Sequence, residues 1–240
     1  MLNKISLAIT SHNRSSETIR SFSKVLNDDR VEEIIISDDY SKESIFKDLS
    51  DQVGLIGSKK IKIHRNTENL GAFLNKCKAI DLTSNDWVVL LDSDNIIDTD
   101  YLDLLPSKLD SKTFYLPSVA ECNSPLLNYS RYSGRILDID DFRGLIYSKD
   151  ATDQCLINTG NFLVNKHTYT SCIKSCTNPI NPLGVDVLYV LCLCFRNEED
   201  FKLNIVPGLK YKHDITSKNS WYTQNSFESQ KISAQLRSMF

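Results

Sequence analysis

Glycine is scarce in this chain, and its scarcity argues against several classes of nucleotide-binding protein. The 240 residues include only eight glycines, and these do not cluster in any loop. Neither the GxxxxGK(S/T) pattern nor the GxGxxG pattern follows a strand-like segment. The sequence therefore argues against kinases, P-loop ATPases and dinucleotide-dependent oxidoreductases. Any phosphate that the protein binds must be held by basic side chains or by a metal ion.

Basic clusters and long apolar runs are also missing. The formal net charge is −3, and no cluster of Lys and Arg provides the basic face that nucleic-acid-binding proteins usually carry. The longest apolar run, Val187–Phe195, falls well short of the ~18 residues that a membrane span requires. Polar residues interrupt the N-terminal segment too soon for a signal peptide. We therefore expect a cytoplasmic protein with no membrane span and no nucleic-acid partner.

The seven cysteines give no sign of a disulfide framework or a zinc site. Their number is odd, and several lie within apolar runs, as Cys77, Cys192 and Cys194 do. Without an export signal, we expect reduced thiols. Cys172 and Cys176 have the spacing of half a zinc site, but no second pair is suitably placed to complete four ligands.

The first hundred residues show a regular alternation between strand-like and helix-like apolar patterns. Near-continuous apolar strands separated by amphipathic helices predict a mostly parallel, twisted sheet with helices on both faces. The predicted strands are Ile5–Ile9, Glu33–Ser37, Lys60–His64 and Trp87–Asp92. The predicted helices are Ser15–Asn27, a short one through Ile45, Phe46 and Leu49, and Gly71–Leu82.

The second half of the chain is less regular. Residues 120–160 are rich in Asn, Ser, Asp and Tyr, and we expect mostly loop there. Strands are predicted at Thr113–Val119, Asn161–Asn165, Lys202–Val206 and Leu209–His213, and helices at Asp186–Phe195 and Gln224–Met239. No linker or repeat divides the chain, so residues 1–240 are predicted to form a single domain.

Polar side chains follow all four predicted strands of the first half. They are the segment Thr10–Arg14, the pair Asp38 and Asp39, the segment His64–Gly71, and the triplet Asp92–Asp94. The carboxyl ends of parallel strands meet at one edge of a sheet, and ligands bind at that edge. We therefore expect these side chains to surround one ligand site.

The triplet Asp92-Ser93-Asp94 predicts a metal ion at this edge. Two carboxylates at the end of a buried strand repel each other unless they are protonated or bridged by a cation. Oxygen ligands suit Mg²⁺ or Mn²⁺, which a substrate's phosphates help to hold. Asp94, with Asp92 acting through water or a ribose, is predicted to hold such an ion. The alternative is a strand-end turn with solvated aspartates. The triplets at 98–100 and 138–140 are interpreted as a helix cap or a solvated turn.

Four motifs in this order resemble the family 2-like glycosyltransferases of the GT-A fold. They are ISLAITSHNR, EIIISDDYSKE, NTENLGAFLNK and WVVLLDSDN, and a weaker resemblance continues through NTGNFLVNKHTY, GVD and VPGLKYKH. The resemblance implies a GT-A (nucleotide-diphospho-sugar transferase) fold. It also implies inverting transfer of a sugar from a nucleotide-diphosphate donor, a UDP-sugar being favoured, to a hydroxyl of a glycan or other acceptor. Residues 1–100 would form the nucleotide-binding half, and residues 101–240 the acceptor-binding and catalytic half.

The resemblance assigns donor contacts within the first half. The nucleoside would lie against Thr10, His12 and Arg14, with the base N3–H donating to Asp39. The ribose and diphosphate would lie beside Asn69, Gly71 and Asn75, with Asp92, Ser93 and Asp94 forming the metal and ribose motif.

Two functional residues are implied in the second half. His213 is similar in position to a late histidine that completes metal coordination in relatives, although it could equally be a packing or surface residue. Asp186 lies where the family has a carboxylate that acts as catalytic base, although it could also cap a helix. Trp221 and Tyr222 are further candidates for a wall against the sugar, or for packing.

The sequence departs from the family pattern at two contacts to the base. His12 stands where the family has a stacking tyrosine, and Tyr40 replaces the glycine after the acidic pair. These changes leave the identity of the base open. One alternative is a catalytically degenerate protein of the same fold that only binds a nucleotide sugar. A sugar-phosphate nucleotidyltransferase or a phosphoacceptor receiver domain fits less well.

Overall fold

The computed structural model describes residues 4–176, 180–214 and 226–238. Its strands are β1 (Ile5–Ser11), β2 (Val31–Asp38), β3 (Ile61–Arg65), β4 (Trp87–Asp92), β5 (Asn95–Ile96), β6 (Thr113–Glu121), β7 (Ile136–Leu137), β8 (Phe162–Asn165) and β9 (Lys202–His213). Its α-helices are α1 (Ser15–Phe22), α2 (Glu43–Ile56), α3 (Gly71–Asp81), α4 (Thr99–Asp103), α5 (Ile139–Tyr147), α6 (Ala151–Leu156), α7 (Lys166–Lys174), α8 (Asp186–Asn197) and α9 (Ser226–Arg237).

The strands form one mixed sheet in the order β3-β2-β1-β4-β8-β6-β9-β5, with β7 paired to β9. The first four strands in this order are parallel, as predicted. Their register places Thr10 beside Asp92 and Ser11 beside Asp38. The polar strand ends therefore meet at one edge of the sheet, as the sequence predicted.

Antiparallel pairing brings the second half of the chain to the same edge. Strand β8 runs antiparallel to β4, and β6 runs antiparallel to β8. The short β5, directly after the Asp92–Asp94 triplet, pairs antiparallel with the end of β9. In that pairing Asn95 lies opposite His213, so a residue more than a hundred positions away joins the strand-end cluster.

Apolar side chains pack against both faces of the sheet. One cluster joins Ala8 and Leu90 to Leu191 of α8 and to Phe142 of α5. The other joins Leu7, Ile9 and Leu91 to Phe22 of α1 and Leu49 of α2. Alternate residues of β1 and β4 thus face opposite helical layers, which confirms the predicted α/β architecture with helices on both faces. In the described ranges, no helix has both the length and the apolar character needed to cross a membrane.

The structure corrects several predictions for the second half. Residues 120–160 contain helices α5 and α6 rather than mostly loop, and Asp138 caps α5 by accepting from the backbone N–H groups of Asp140 and Asp141. The two strands predicted from 202 to 213 are one continuous strand through Pro207 and Gly208. Helix α7 was not predicted, although Asn165 accepts from the backbone N–H of Thr168 as its cap.

A buried glutamate, Glu33, lies near the ends of the parallel strands that are opposite the polar strand ends. Its hydrogen bonds connect these strands, and its pKa predicts an effect of pH on stability. Burial alone would raise the pKa of Glu33, but hydrogen bonds from the Ser84 backbone N–H, the Ser6 and Ser84 hydroxyls and the Lys62 ammonium lower that pKa to about 2. A depressed pKa stabilises the fold above the ordinary glutamate pKa of 4.5, and the stabilisation is lost as the pH falls toward 2. Because each pKa unit corresponds to about 1.36 kcal/mol, the free energy of unfolding falls by about 3 kcal/mol.

We therefore expect the free energy of unfolding to fall more steeply between pH 4.5 and pH 2.5 in the wild-type protein than in Glu33→Gln. Urea unfolding at several pH values measures both slopes. Equal slopes would show that Glu33 does not have a depressed pKa in the folded protein.

Candidate active site

All twelve residues that the sequence analysis assigned to the site line one cavity of about 1110 Å³ at the carboxyl edge of the sheet. Strands β1 and β4, the loop before α3 and the start of α8 each contribute to its wall. The structure thus brings together the predicted nucleotide residues with Asp186 and His213, which lie far away in sequence. The roles assigned to these residues stay predictions.

Asp92 is held by two donors, and one of them is a lysine that the sequence analysis did not single out. Thr10 Oγ1 donates to Asp92 Oδ1 at 3.0 Å, and Lys76 Nζ donates to Asp92 Oδ2 at 3.1 Å. The same Nζ donates to Asp186 Oδ2 at 2.7 Å. Lys76 therefore bridges the predicted metal motif and the predicted catalytic base.

Lys76 is fully charged in this position. Burial would lower the pKa of its ammonium, but the carboxylates of Asp186 and Asp92 raise that pKa well above its ordinary value. Its side chain is 7% exposed, so water screens these ion pairs poorly. A sequence signal existed, because Lys76 shares the buried stripe of α3 with Phe73 and Ala79. A lysine on such a stripe indicates a buried ionic partner.

Asp94 has a different environment from Asp92. Arg14 donates to Asp94 Oδ2 at 2.6 Å. The other oxygen, Oδ1, is buried and has no hydrogen-bond partner among the described residues. Each aspartate of the triplet thus has a basic side chain beside it, which corrects the expectation that the two carboxylates must be protonated or bridged by a bound cation. Asp94 nevertheless keeps one oxygen available as a ligand.

His213 has the hydrogen bonding that metal-binding histidines use. Its Nδ1 lies 2.6 Å from Asn95 Oδ1, the contact that a metal-binding histidine makes when it donates from Nδ1 and binds the metal through Nε2. In the described ranges, no three His, Cys, Asp or Glu side chains converge closely enough to hold a metal. The donor set therefore fits an ion such as Mg²⁺ or Mn²⁺, which takes one or two carboxylates and shares its other positions with water and phosphate.

The remaining predicted residues form hydrogen bonds within the wall of the cavity that the first half of the chain provides. The Asp39 carboxylate accepts from the backbone N–H groups of Leu70 and Gly71 at 2.7 and 2.9 Å, and so fixes the loop that precedes α3. His12 Nδ1 lies 2.8 Å from the backbone carbonyl oxygen of Asp39, which links β1 to β2. Asn75 donates to the Ser37 carbonyl oxygen at 3.1 Å and is buried. Asn69 and Ser93 line the cavity beside these residues.

Gly160 is a second site residue that the sequence analysis missed. A Cβ added there would overlap Asp92 Oδ2 and would lie 3.4 Å from Asp92 Cγ. The backbone of residue 160 therefore approaches the carboxylate more closely than any other residue type allows. The segment NTGNF was noted for its resemblance to the family, but only the structure shows what its glycine faces.

The opposite wall of the cavity comes from the second half of the chain. Among the residues of this wall, the sequence analysis assigned only Asp186 and His213 to the site. The others include Leu126, Leu127, Lys149, Gln154, Asn158, Leu188, Tyr211, Gln230, Ser233 and Arg237. Trp221 and Tyr222 lie outside the described residues.

Comparison with known proteins identifies the family. Residues 6–168 match the sequence family described as Glycosyl transferase family 2. A search of curated proteins found no match. Solved structures resemble the chain over nearly its whole length.

Three of these structures illustrate the likeness. A mannosyltransferase from Pyrobaculum calidifontis, in complex with GDP-Man and Mn²⁺, is 9% identical at a TM-score of 0.64, with 96% of this chain and 62% of that chain covered. TarS of S. aureus, in complex with UDP-GlcNAc, is 12% identical at a TM-score of 0.69, with coverages of 97% and 66%. The glucosyl-3-phosphoglycerate synthase of Mycobacterium tuberculosis, in complex with Mn²⁺, UDP-glucose and phosphoglyceric acid, is 15% identical at a TM-score of 0.63, with coverages of 99% and 78%.

The chain spans less than two thirds of the mannosyltransferase and of the TarS fragment. At these low identities the likeness shows the fold, which is the GT-A fold that the sequence predicted. The family match covers more than half of the chain and confirms the predicted family. This chain belongs to glycosyl transferase family 2.

Proposed function

We propose that this chain transfers a sugar from a nucleotide-diphosphate donor, with a UDP-sugar favoured, to a hydroxyl of a glycan or other acceptor. The observation that carries the proposal is the convergence of Asp92, Asp94 and Asp186 in one cavity, with Lys76 between two of them. The anomeric carbon of the donor sugar and the acceptor hydroxyl must meet at one point, and this cavity is lined by both halves of the chain. The relatives with GDP-Man, UDP-GlcNAc and UDP-glucose support a nucleotide-sugar donor.

The proposal includes a divalent cation, Mn²⁺ or Mg²⁺. Asp94 would hold it through the unpartnered Oδ1, with Asp92 and His213 beside it. When bound, such an ion neutralises the negative charge that develops on the leaving diphosphate. Lys76 and Arg14 add fixed positive charge on the same side of the cavity. The Mn²⁺ in two of the related structures supports this assignment.

Asp186 is proposed as the catalytic base of an inverting reaction. The ion pair with Lys76, whose Nζ lies 2.7 Å from Oδ2, positions the Asp186 carboxylate at the start of α8. Lys76 contacts Oδ2, which leaves Oδ1 to accept the proton of the acceptor hydroxyl. The deprotonated oxygen attacks the anomeric carbon from the face opposite the diphosphate, and the configuration inverts.

One observation favours a second candidate, a nucleotide-sugar-binding protein without turnover. Lys76 occupies one oxygen of both Asp92 and Asp186, which a binding protein could use to hold the site in place. Both candidates predict nucleotide binding, and only the enzyme predicts conversion of the donor.

Nucleotide binding tests what the two candidates share. We expect one of UDP, GDP, CDP, ADP and dTDP to raise the free energy of unfolding in the presence of Mn²⁺ and not with EDTA. A ligand at 100 times its Kd adds about 2.7 kcal/mol. Asp94→Asn should lose the metal-dependent part, whereas Asp140→Asn, in an exposed DxD triplet outside the cavity, should keep it. Stabilisation by none of the five nucleotides would overturn the proposal.

Gly160→Ala should damage the site while leaving the fold intact. The added Cβ displaces the Asp92 carboxylate from Thr10 and Lys76. A misplacement of about 1 Å can cost about a hundredfold in rate, so we expect a decrease of that size in kcat/KM. The matched control is Gly144→Ala, where an added Cβ meets no atom within 4 Å. Equal activity of the two variants would show that Asp92 need not be held in this position.

A further inference from the structure

Four lysine and arginine side chains line the cavity, and they divide into two pairs by their ionic partners. On the nucleotide side, Arg14 is paired with Asp94, and Lys76 with Asp92 and Asp186. On the opposite wall, Lys149 and Arg237 have no carboxylate within salt-bridge distance in the described part of the chain. The segments outside that part contain no Asp or Glu in the sequence, so they supply no acidic side chain either.

Arg237 is held in place by neutral groups. Its Nη2 donates to Gln154 Oε1 at 2.7 Å, and its backbone carbonyl oxygen accepts from the Tyr147 hydroxyl at 2.8 Å. The neighbouring Leu236 is fully buried and anchors this end of α9. Arg237 Nε is buried without a hydrogen-bond partner among the described residues. The guanidinium is therefore positioned at the cavity, and part of its donor capacity is unused.

An unneutralised, partly buried cation is costly unless a ligand supplies the opposite charge. A guanidinium presents a planar fork of N–H donors that fits the oxygens of a phosphate. A phosphate monoester carries about −1.5 to −2 charge at pH 7, which matches two cations with no acidic partner. Gln230 and Ser233 line the cavity as well, and their amide and hydroxyl groups can bind hydroxyl groups of a ligand.

We propose that Lys149 and Arg237 bind a phosphate ester on the acceptor, so that the acceptor is a phosphorylated compound with a free hydroxyl. This inference rests on the proposed function, because it takes the wall formed by α6, α8 and α9 as the acceptor side. The phosphate can belong to a small molecule or to a lipid headgroup. In both cases Lys149 and Arg237 contact anionic phosphate oxygens, which carry two negative charges at most in a monoester and one in a phosphodiester headgroup.

The test is calorimetric titration of glycerol 3-phosphate at constant ionic strength into protein saturated with UDP and Mg²⁺. The nucleotide fills the diphosphate site, so the heat reports a second phosphate site. Glycerol is the uncharged control, and vesicles with and without phosphatidylglycerol replace the soluble probe to distinguish a lipid source. If UDP does not bind, the nucleotide that stabilises the protein replaces it. If none of the five nucleotides binds, the proposed function fails, and the titration without nucleotide still tests the phosphate site.

We expect glycerol 3-phosphate or the phosphatidylglycerol vesicles to bind, and glycerol not to bind. Arg237→Gln should weaken the binding by about ten- to a hundredfold, the range for a charge-assisted hydrogen bond. Lys149→Gln, at an exposed position, should weaken it by about two- to fivefold. Arg196→Gln and Lys174→Gln, exposed and outside the cavity, should have no effect.

Two results would overturn the inference. One is an equal affinity for glycerol and glycerol 3-phosphate, with no binding to phosphatidylglycerol vesicles. The other is phosphate binding that neither Lys149→Gln nor Arg237→Gln changes. The Lys149 variant keeps the test decisive if Arg237→Gln does not fold.

Discussion

Asp186→Asn is expected to lower kcat by about two to four orders of magnitude, the contribution of a general base to proton transfer. The amide that replaces the carboxylate has no charge and cannot take a proton from the acceptor hydroxyl. It still offers an oxygen to Lys76, so the hydrogen bond between α3 and α8 can persist. Nucleotide binding should change by a few-fold at most, because Asp186 lies on the acceptor side of Lys76.

Two measurements on one protein preparation check this expectation. Donor turnover gives kcat, and calorimetry gives the Kd of the nucleotide. Asp103→Asn is a suitable control, since Asp103 lies outside the cavity and its carboxylate is 62% exposed. An Asp186→Asn variant with near-normal kcat would remove Asp186 from the role of base.

Lys76→Met is expected to cost about 3–5 kcal/mol of unfolding free energy, as removal of one partner from a buried ion pair does. The methionine fills similar volume but leaves the buried carboxylate of Asp186 and the partly exposed carboxylate of Asp92 without their shared cation. Urea denaturation measures the loss. Lys47→Met, which removes an exposed partner of Asp51, should leave the stability essentially unchanged.

A double variant tests whether charge is the cause. In Lys76→Met/Asp186→Asn one of the two stranded carboxylates is neutral, so the double variant should be more stable than Lys76→Met alone. Such a positive coupling is expected only if Lys76 compensates the carboxylate of Asp186. Strictly additive losses would show that packing, and not charge, accounts for the effect.

The first hundred residues were largely predictable because each strand is a local, near-continuous apolar run with polar residues at its end. Trp87–Asp92 was predicted at its observed bounds, and the other three strands to within two residues. Parallel order then placed Thr10, Asp39 and Asp92 at one edge without further information. The match to glycosyl transferase family 2 confirms the family that these motifs indicated.

The second half was harder to predict because its structure depends on distant pairing. Helices α5 and α6 are rich in polar residues and become evident only where Phe142 and Leu156 reach the core. Strand β9 continues through Pro207 because its partner β6 has an irregular register at the matching position, between Pro117 and Val119. The register of β6 against β9 has no local signal in the sequence, whereas the caps Asp138 and Asp150 were local signals for α5 and α6.

The candidate site was likewise predictable only in part. Asp39, Asp92 and Asp94 were found from their positions at strand ends, and Asp186 from the family resemblance. Arg14 was named as a nucleoside contact and not as the partner of Asp94, and Lys76 was not named at all. Lys76 reaches Asp186 across 110 positions of sequence, and Gly160 is significant only for its contact with Asp92. Lys149 and Arg237 resemble any surface charge in the sequence, and only the structure shows that they line the cavity without an acidic partner among the described residues.

The fate of the donor sugar tests the central proposal most directly. UDP-GlcNAc, UDP-glucose and GDP-Man are each mixed with Mn²⁺ and wild-type protein. NMR spectra recorded soon after mixing show whether the donor is hydrolysed, with water acting in place of the acceptor. The proposal predicts that one donor yields nucleoside diphosphate and the sugar anomer opposite to that of the donor, and that Asp186→Asn yields neither at a comparable rate. A donor that binds but stays intact with every hydroxyl acceptor supplied, phosphorylated ones included, would contradict the proposal and identify a nucleotide-sugar-binding protein.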